Sequence, residues 1–462
     1  MTAYLSIAKL SPLISGKGRI MKKYIIHGAD ILSFDPARPY LSGYALMVEK
    51  GKITKIAPYA ELKDGDCEGV DASGKILMPG LINAHHHFYS TMVTGLGKAA
   101  PSADFDEVLK NLWWRLDKKL ALRDVYVSSA ISAIDAIRKG STTIIDHHAS
   151  PSSITGSLSQ IALAVKETGI RANLCYEVSD RDGMPIRDEG IAENVDFIKS
   201  YGFGQDDFLK ALFGMHAAFT LGDDSLSKIS QEVGKLGCGV HIHVAEAQSD
   251  QRYNLDHYGK HVVERLMDFG LINSQSILAH GVHLTPREMM MVAESGAAIV
   301  SNPQSNLNNA VGIADVCNMA KLGLKVGLGT DAMTVNMLQE LRVGLWAQHL
   351  KQENPSAGFM EIASTLIYNN PAIAQKYWGK GHGMLTEGAN ADMIFVDYDP
   401  HTPLDDETWI GHLIFGISQA RVHSTIVAGD FLMWDGELLL GLDEKELRAE
   451  SRSLSAALWK RF

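Results

Sequence analysis

Met78–Thr91, MPGLINAHHHFYST, breaks an apolar run at Pro79 and Gly80 and then places three histidines in succession. In an extended segment side chains at i and i+2 share a face, so His85 and His87 point one way and His86 the other. Two imidazoles on one face at the mouth of a buried strand are half of a metal site, provided that other strands deliver the missing ligands. A histidine cluster at a surface turn is the competing reading.

The pattern changes on either side of this stretch. From Lys22 to Leu77 short alternating segments, YIIHGADIL and YALMVEKGKITKIAP, meet at glycine-bearing turns and predict a small β-sheet unit. After Gly80 short apolar runs alternate with amphipathic segments, the rhythm of a mostly parallel sheet. The strand candidates are ILMPGLINA, TTIIDHH, IRANLCYEVSD, LKALFGMHA, GCGVHIHVAE, SQSILAHG, GAAIVSNP and LKVGLGTDA. Eight strands of this kind close a barrel. Helices are expected at SLSQIALAVKETG, AENVDFIKSYG, DSLSKISQEVGKLG, GKHVVERLMDFG and TPREMMMVAESG, several ending in glycine as helix C-termini do. Near Met384 hairpin patterning returns. The α/β barrel, residues 79–383, is thus bracketed by β-rich stretches at 21–78 and 384–440 that form one composite domain. A helical tail follows at 441–462, and residues 1–20 are an extension whose deletion is expected to leave activity intact.

The chain has 462 residues, 46% hydrophobic and 21% charged, an ordinary globular composition able to bury a large core. With 43 Lys+Arg against 54 Asp+Glu the formal net charge is −11, and no basic run is present, which argues against nucleic acid or a membrane as partner. Cys67, Cys175, Cys238 and Cys317 show no Cys-x-x-Cys spacing, so neither a disulfide framework nor a thiolate metal site is expected. A cytoplasmic location is the natural expectation.

In a βα barrel, chemistry gathers at the C-terminal ends of the strands. Those positions hold His85 and His87, Asp146 with His147 and His148, Asp180 and Arg181, His216, His243 with Glu246, His280, Asn302 with Asn306, and Asp331. A mononuclear centre needs three or four N/O ligands, which His85, His87, His243 and Asp331 can supply. On the fifth strand His241 shares a face with His243 and competes with it. Asp331 serves equally as an N-cap. Glu246, three residues beyond His243, suits proton shuttling, and His280 has the reach to bond an attacking water or a developing oxyanion; either is alternatively part of a structural network. Phe88, Trp113 and Trp114 either wall a pocket or fill core.

PGLINAHHH, HIHVAE, LAHGVHL, SNPQSN and GLGTDA, in this order, resemble the amidohydrolase superfamily, in its cytosine deaminase-like and chlorohydrolase-like (ATZ/TRZ) branch. DHHASP, EVSDRDG and AHHHFYS look most like the SsnA-type aminohydrolases of that branch. The resemblance implies a distorted (β/α)8 TIM barrel with a β-sandwich built from both chain ends, one divalent metal and a homo-oligomer, a dimer. It implies His85, His87, His243 and Asp331 as ligands, Glu246 as proton shuttle, His280 beside the activated water and His216 as a substrate-facing residue. No lysine ends the fourth strand to bridge a second metal. The family often has Asn or Thr between the paired histidines; here His86 stands there and is expected to point away, and His147 is expected to pack below the pocket.

The expected activity is that of a metal-dependent aminohydrolase: a metal-activated hydroxide attacks the amino-bearing carbon of a purine, pyrimidine or related N-heterocycle, and ammonia leaves. Zn2+ is the expected ion and Fe2+ the alternative. Arg181, His148, Asn302 and Asn306 are candidate substrate contacts, Arg181 having a surface salt bridge as its alternative role. Another leaving group, as in a chlorohydrolase or a cyclic amidohydrolase, fits the same ligands. A non-catalytic metal-stabilised binding protein would not be expected to keep both Glu246 and His280.

Overall fold

The apolar run around Gly80 forms two strands where its pattern predicts one. Ile76–Pro79 pairs with Asp30–Leu32 and Met393–Asp397, whereas Leu81–His86 lies beside Ser141–Asp146 in another sheet. Pro79 has no N–H to offer, and the Gly80 N–H donates to Asp392 O at 3.0 Å, so the ladder ends there. The computed structural model describes residues 23–62, 67–202, 204 and 206–462. The extension read at residues 1–20 lies outside the described residues. Two compact units result: the described residues up to Leu81 with Gly379–Leu439, and Ile82–Trp378 with Leu440–Phe462.

In the second unit the strands follow in chain order: β1 (Leu81–His86), β2 (Ser141–Asp146), β3 (Arg171–Leu174), β4 (Leu209–Ala211 and Phe213–Ala217), β5 (Val240–Val244), β6 (Ile277–His280), β7 (Ala298–Ser301) and β8 (Lys325–Leu328). Every residue of β1, β2 and β5 is buried, as strands covered on both faces must be. β4 is the joint between two sheets. Its first part pairs in parallel with β3 and its second with β5, the break falling at Leu212. At the last seam His86 and Asp331 form a parallel bridge, and the Thr330 and Asp331 N–H groups both donate to His85 O at 3.0 Å. Gly329 permits that approach, because a Cβ there would stand 2.8 Å from the His85 carbonyl oxygen and 2.5 Å from Asn302 Oδ1.

Helices cover the strands: α1 (Leu122–Arg138), α2 (Ser157–Thr168), α3 (Met184–Tyr201), α4 (Asp223–Leu236), α5 (Gln248–Tyr258), α6 (Val262–Asp268) and α7 (Pro286–Ser295), followed by α8 (Pro303–Asn308), α9 (Val316–Lys321) and α10 (Met337–Lys351). α2, α4 and α7 stop at Gly169, Gly237 and Gly296 with φ of 76°, 62° and 73°, conformations that other residues resist. α3 begins well upstream of its predicted start, with Pro185 in its first turn. α5 carries no apolar stripe. Its buried residues are Asp250, Gln251 and Asn254, so hydrophobic periodicity does not reveal it.

The first unit holds a four-stranded sheet, from Lys52–Pro58 to Glu68–Asp71, and a seven-stranded one whose centre is Arg421–Val427, Met393–Asp397 and Ile76–Pro79. Ile26, Leu46 and Ile53 of the first sheet share a core with Leu77, Phe395 and Trp434 of the second. Among the described residues no helix is long and apolar enough to cross a membrane.

Candidate metal centre and its cavity

The end of β1 sends His85 and His87 inward, since His87 continues the extended backbone with φ −127° and ψ 99°. His85 Nε2 and His87 Nε2 lie 3.5 and 3.0 Å from Asp331 Oδ1, and His243 Nε2 is 3.2 Å from His87 Nε2. Each of the three rings is fixed through its other nitrogen. His87 Nδ1 is 2.5 Å from His147 O, His243 Nδ1 is 2.9 Å from His216 O, and His85 Nδ1 is 2.9 Å from His241 Nε2. His241 therefore stands behind His85, and His243 is the β5 histidine that faces the cluster. His280 Nε2 closes the far side, 3.3 Å from Glu246 Oε2 and 3.9 Å from Asp331 Oδ2. His280 and Asp331 adopt φ of 74° and 50°, a left-handed strain that the surrounding bonds hold in place.

His86 is turned away. Its Nε2 pairs with Ser132 Oγ of α1 at 2.8 Å and its Nδ1 lies 2.9 Å from Asp331 O. The middle histidine thus ties β1 to α1 and to the backbone that carries Asp331. His147 Nε2 lies 3.1 Å from the carbonyl oxygens of Met215 and His241, and its Nδ1 is 3.2 Å from Glu177 Oε2.

The donor set fits a divalent cation. His85 Nε2 and His280 Nε2 are buried without a hydrogen-bond partner, an arrangement that is costly unless a cation or water completes it. His85, His243, His280 and Asp331 each present a ligand atom within 4.8 Å of the others, as do His87, His147 and His243. Hydrogen-bonded Nδ1 atoms and inward Nε2 atoms are the usual preparation of metal-binding imidazoles. Burial pushes the His85 imidazole down to about 3 and His243 well below its ordinary value, so both present lone pairs. Burial works against charge on His87 and Asp331 too, yet their mutual bonding raises His87 to about 9 and holds Asp331 well below the carboxylate range. Positive charge is welcome there. Glu246 goes the other way: burial, then the Asp331 charge, pushes it well above the ordinary range.

A cavity opens over the cluster. His87, His243, Glu246 and Asp331 form its polar end, while Tyr89, Phe105, Trp113, Trp114 and Phe219 wall the rest. Phe88 is not part of that wall; it is fully buried against His86. Of the five expected substrate contacts only His216 lines the cavity. Arg181 pairs with Asp117 Oδ2 and, at 3.2 Å, with Asp182 Oδ2, because a guanidinium only 8% exposed must keep its carboxylates. The ion pair is thus buried, where a surface bridge was the alternative. His148 is turned to Ser150 Oγ at 2.9 Å. His280 Nδ1 donates to Asn306 Oδ1 at 2.8 Å, so Asn306 holds the histidine in place, while Asn302 Nδ2 stands 3.5 Å from the same nitrogen and donates to Val300 O at 3.4 Å.

Sequence reasoning missed six polar residues of this wall: Asp117, Glu177, Ser249, Asp250, Ser305 and Asn309. Ser305 donates to Asp331 Oδ2, and Asn309 Nδ2 reaches Glu246 Oε1 at 3.4 Å. The SNPQSN run pointed at the helix that carries Ser305. Nothing in the pattern pointed at Asp117, which sits in a short irregular helix.

Residues 76–432 match the amidohydrolase family. The 5'-deoxyadenosine deaminase of Methanosarcina mazei is 30% identical over 444 residues, covering 95% of this chain and 99% of that protein. The 5-methylthioadenosine/S-adenosylhomocysteine deaminase of Thermococcus sibiricus is 29% identical over 420 residues, 90% and 93% of the two chains. Among solved structures, an adenosine deaminase from Xanthomonas campestris with bound zinc superposes with a TM-score of 0.84 at 22% identity, covering 94% of this chain and 98% of that one. The triazine hydrolase of Arthrobacter aurescens follows at 0.81 and 20%, over 94% and 99%. These structural likenesses establish the α/β barrel fold.

Proposed function

The chain belongs to the amidohydrolase family and is a hydrolase of carbon–nitrogen bonds other than peptide bonds, and from that premise we propose that it deaminates an amino-substituted N-heterocycle of the adenosine type. The observation that carries this reading is Glu246. It is a buried carboxyl on the cavity wall, its proton affinity raised by burial and by the Asp331 charge, with His280 Nε2 3.3 Å away.

His85, His87, His243 and Asp331 would hold one divalent ion. Three imidazoles and one carboxylate suit Zn2+ first and Fe2+ second. When bound, such an ion lowers the pKa of water to roughly 7 and so supplies a nucleophile at neutral pH. The chain's own residues do the rest. Asp331 and His280 orient the attacking water. Glu246, whose proton affinity the site raises, gives its proton to the ring nitrogen next to the amino-bearing carbon; as a carboxylate it then takes the two protons of the water oxygen in turn, passing one to the departing amine and keeping the other. One water enters, one ammonia leaves and Glu246 ends as it began. The aromatic wall of Trp113, Trp114 and Phe219 offers stacking faces to a flat ring.

The substrate family named for the Methanosarcina and Thermococcus relatives directs the first assay to adenosine-type nucleosides. Ammonia release from 5'-deoxyadenosine, 5'-methylthioadenosine and adenosine, beside cytosine, guanine and a chlorotriazine, tests the reading. Release from a nucleoside supports it; turnover of the chlorotriazine alone counts against it. A cytoplasmic location is supported by four cysteines that are all free. A dimer rests on the family resemblance and on Trp346 and Leu350, 50% and 71% exposed one turn apart on α10; size-exclusion chromatography with light scattering checks it.

A further inference from the structure

On the cavity wall Glu177 and His216 stand side by side, with Glu177 Oε1 3.6 Å from His216 Nε2. That separation is beyond a hydrogen bond. The Thr220 hydroxyl donates to Ala217 O at 3.0 Å, so its oxygen is left to accept from His216 Nδ1 at 2.9 Å. A neutral His216 with its proton on Nδ1 presents a lone pair at Nε2. Glu177 Oε2 takes the His147 Nδ1 contact at 3.2 Å, which leaves Oε1 toward His216. Two acceptors thus face one another at the cavity wall with no donor between them.

The charges lining the cavity are one-sided. Asp117, Glu177, Glu246, Asp250 and Asp331 line it, and no lysine or arginine does among the described residues. Arg181, the nearest cation, is committed to Asp117 and Asp182. Asp331 belongs to the metal centre and Glu246 to proton transfer, and Asp250 accepts from Ala245 N and Asn254 Nδ2. Glu177 is the carboxylate with no such engagement on its cavity side. The group that fits between two acceptors is an amino group or a ring N–H beside one, whose two protons reach both.

We propose that Glu177 and His216 form a donor-selecting subsite, so that a heterocycle carrying a second amino or ring N–H group besides the amino group that leaves is bound in preference to one without it. Glu177 is then a specificity-determining residue and Thr220 a positioning residue that fixes the His216 tautomer. The inference rests on the cavity being the substrate site, and a binding experiment separates it from the reaction itself.

Adenosine and 2,6-diaminopurine riboside differ by one exocyclic amino group. Their dissociation constants, measured on the metal-loaded protein by quenching of tryptophan fluorescence, are expected to favour the diamino compound about tenfold or more, the worth of a hydrogen bond to a charged acceptor. Glu177→Gln is expected to bring the ratio close to one with metal content unchanged. Thr220→Val, which frees the tautomer and leaves Glu177 in place, is expected to reduce the ratio as well and guards against a folding defect in the first variant. A wild-type ratio near one, binding of neither compound, or a ratio insensitive to both substitutions overturns the proposal. Preferred binding of the diamino compound without ammonia release would uphold the subsite and count against the deaminase reading instead.

Discussion

Glu246 and Asp331 are neighbouring carboxyls whose surroundings drive their proton affinities apart, the first raised by burial and by the charge of the second. Such a separation supports the proposed division of roles, Glu246 as acid and Asp331 as charge-bearing ligand. Glu246→Gln keeps the shape and removes the mobile proton, so turnover is expected to fall by about 10²–10⁴-fold, the usual worth of a general acid, while metal content stays the same. Initial rates and elemental analysis on the same sample check both halves. Arg181 makes a stability statement. Arg181→Met leaves Asp117 buried beside the cavity without its partner, and loss of about 3–5 kcal/mol is expected, read as a lower urea midpoint. At this scale the cluster of His85, His87, His243 and Asp331, the proposed ligands, was legible because each member sits at a strand end and two are spaced for one face. Glu177 was not legible: β3 stops at Leu174, and the reading looked to Asp180 and Arg181 further along. His241 and His243 were indistinguishable by alternation, and only the packing of His241 behind His85 separates them.

Among the elements, β8 depends on an approach that only glycine allows. Gly329→Ala would set a methyl group against His85 and Asn302 and push Thr330 and Asp331 away from β1. Metal affinity is expected to fall about 10–100-fold, the range seen when groups that orient metal ligands are disturbed, with a smaller change in overall stability. A competition titration against a coloured chelator measures it. The eight strands were readable from apolar runs bounded by turns, and so were the helices with amphipathic faces. α5 was not, because it buries polar groups: Asp250 accepts from Ala245 N at 2.8 Å and so fixes the backbone between His243 and Glu246. A helix of that kind serves the site and leaves no hydrophobic period behind. The single strand predicted across Gly80 failed for a local reason, the missing donor of Pro79.

For the whole molecule the centre couples folding to metal. Its proposed donors come from the end of β1, from β5 and from the residues after β8, so an ion bound there would tie both edges of the strand order together. A ligand that binds the native state alone stabilises it by RT ln(1 + [L]/Kd), about 4 kcal/mol at a thousandfold excess over Kd. Chelation is therefore expected to lower the melting temperature and abolish turnover together, and added Zn2+ to restore both; differential scanning calorimetry beside an ammonia assay follows the pair. The composite first unit was legible from matching hairpin patterns at the two chain ends, whereas the cavity wall was not, since Trp113, Trp114 and Asp117 come from short irregular helices between β1 and α1.

The proposed reaction is hydrolytic removal of an amino group from a ring carbon. Its most direct measurement is turnover of an adenosine-type nucleoside in ¹⁸O-labelled water, with the product weighed by mass spectrometry and ammonia quantified in parallel. One ¹⁸O gained on the ring and one ammonia released for each nucleoside consumed are expected, both lost in Glu246→Gln. Consumption of the nucleoside with its exocyclic amino nitrogen retained, or label appearing without ammonia, would contradict it.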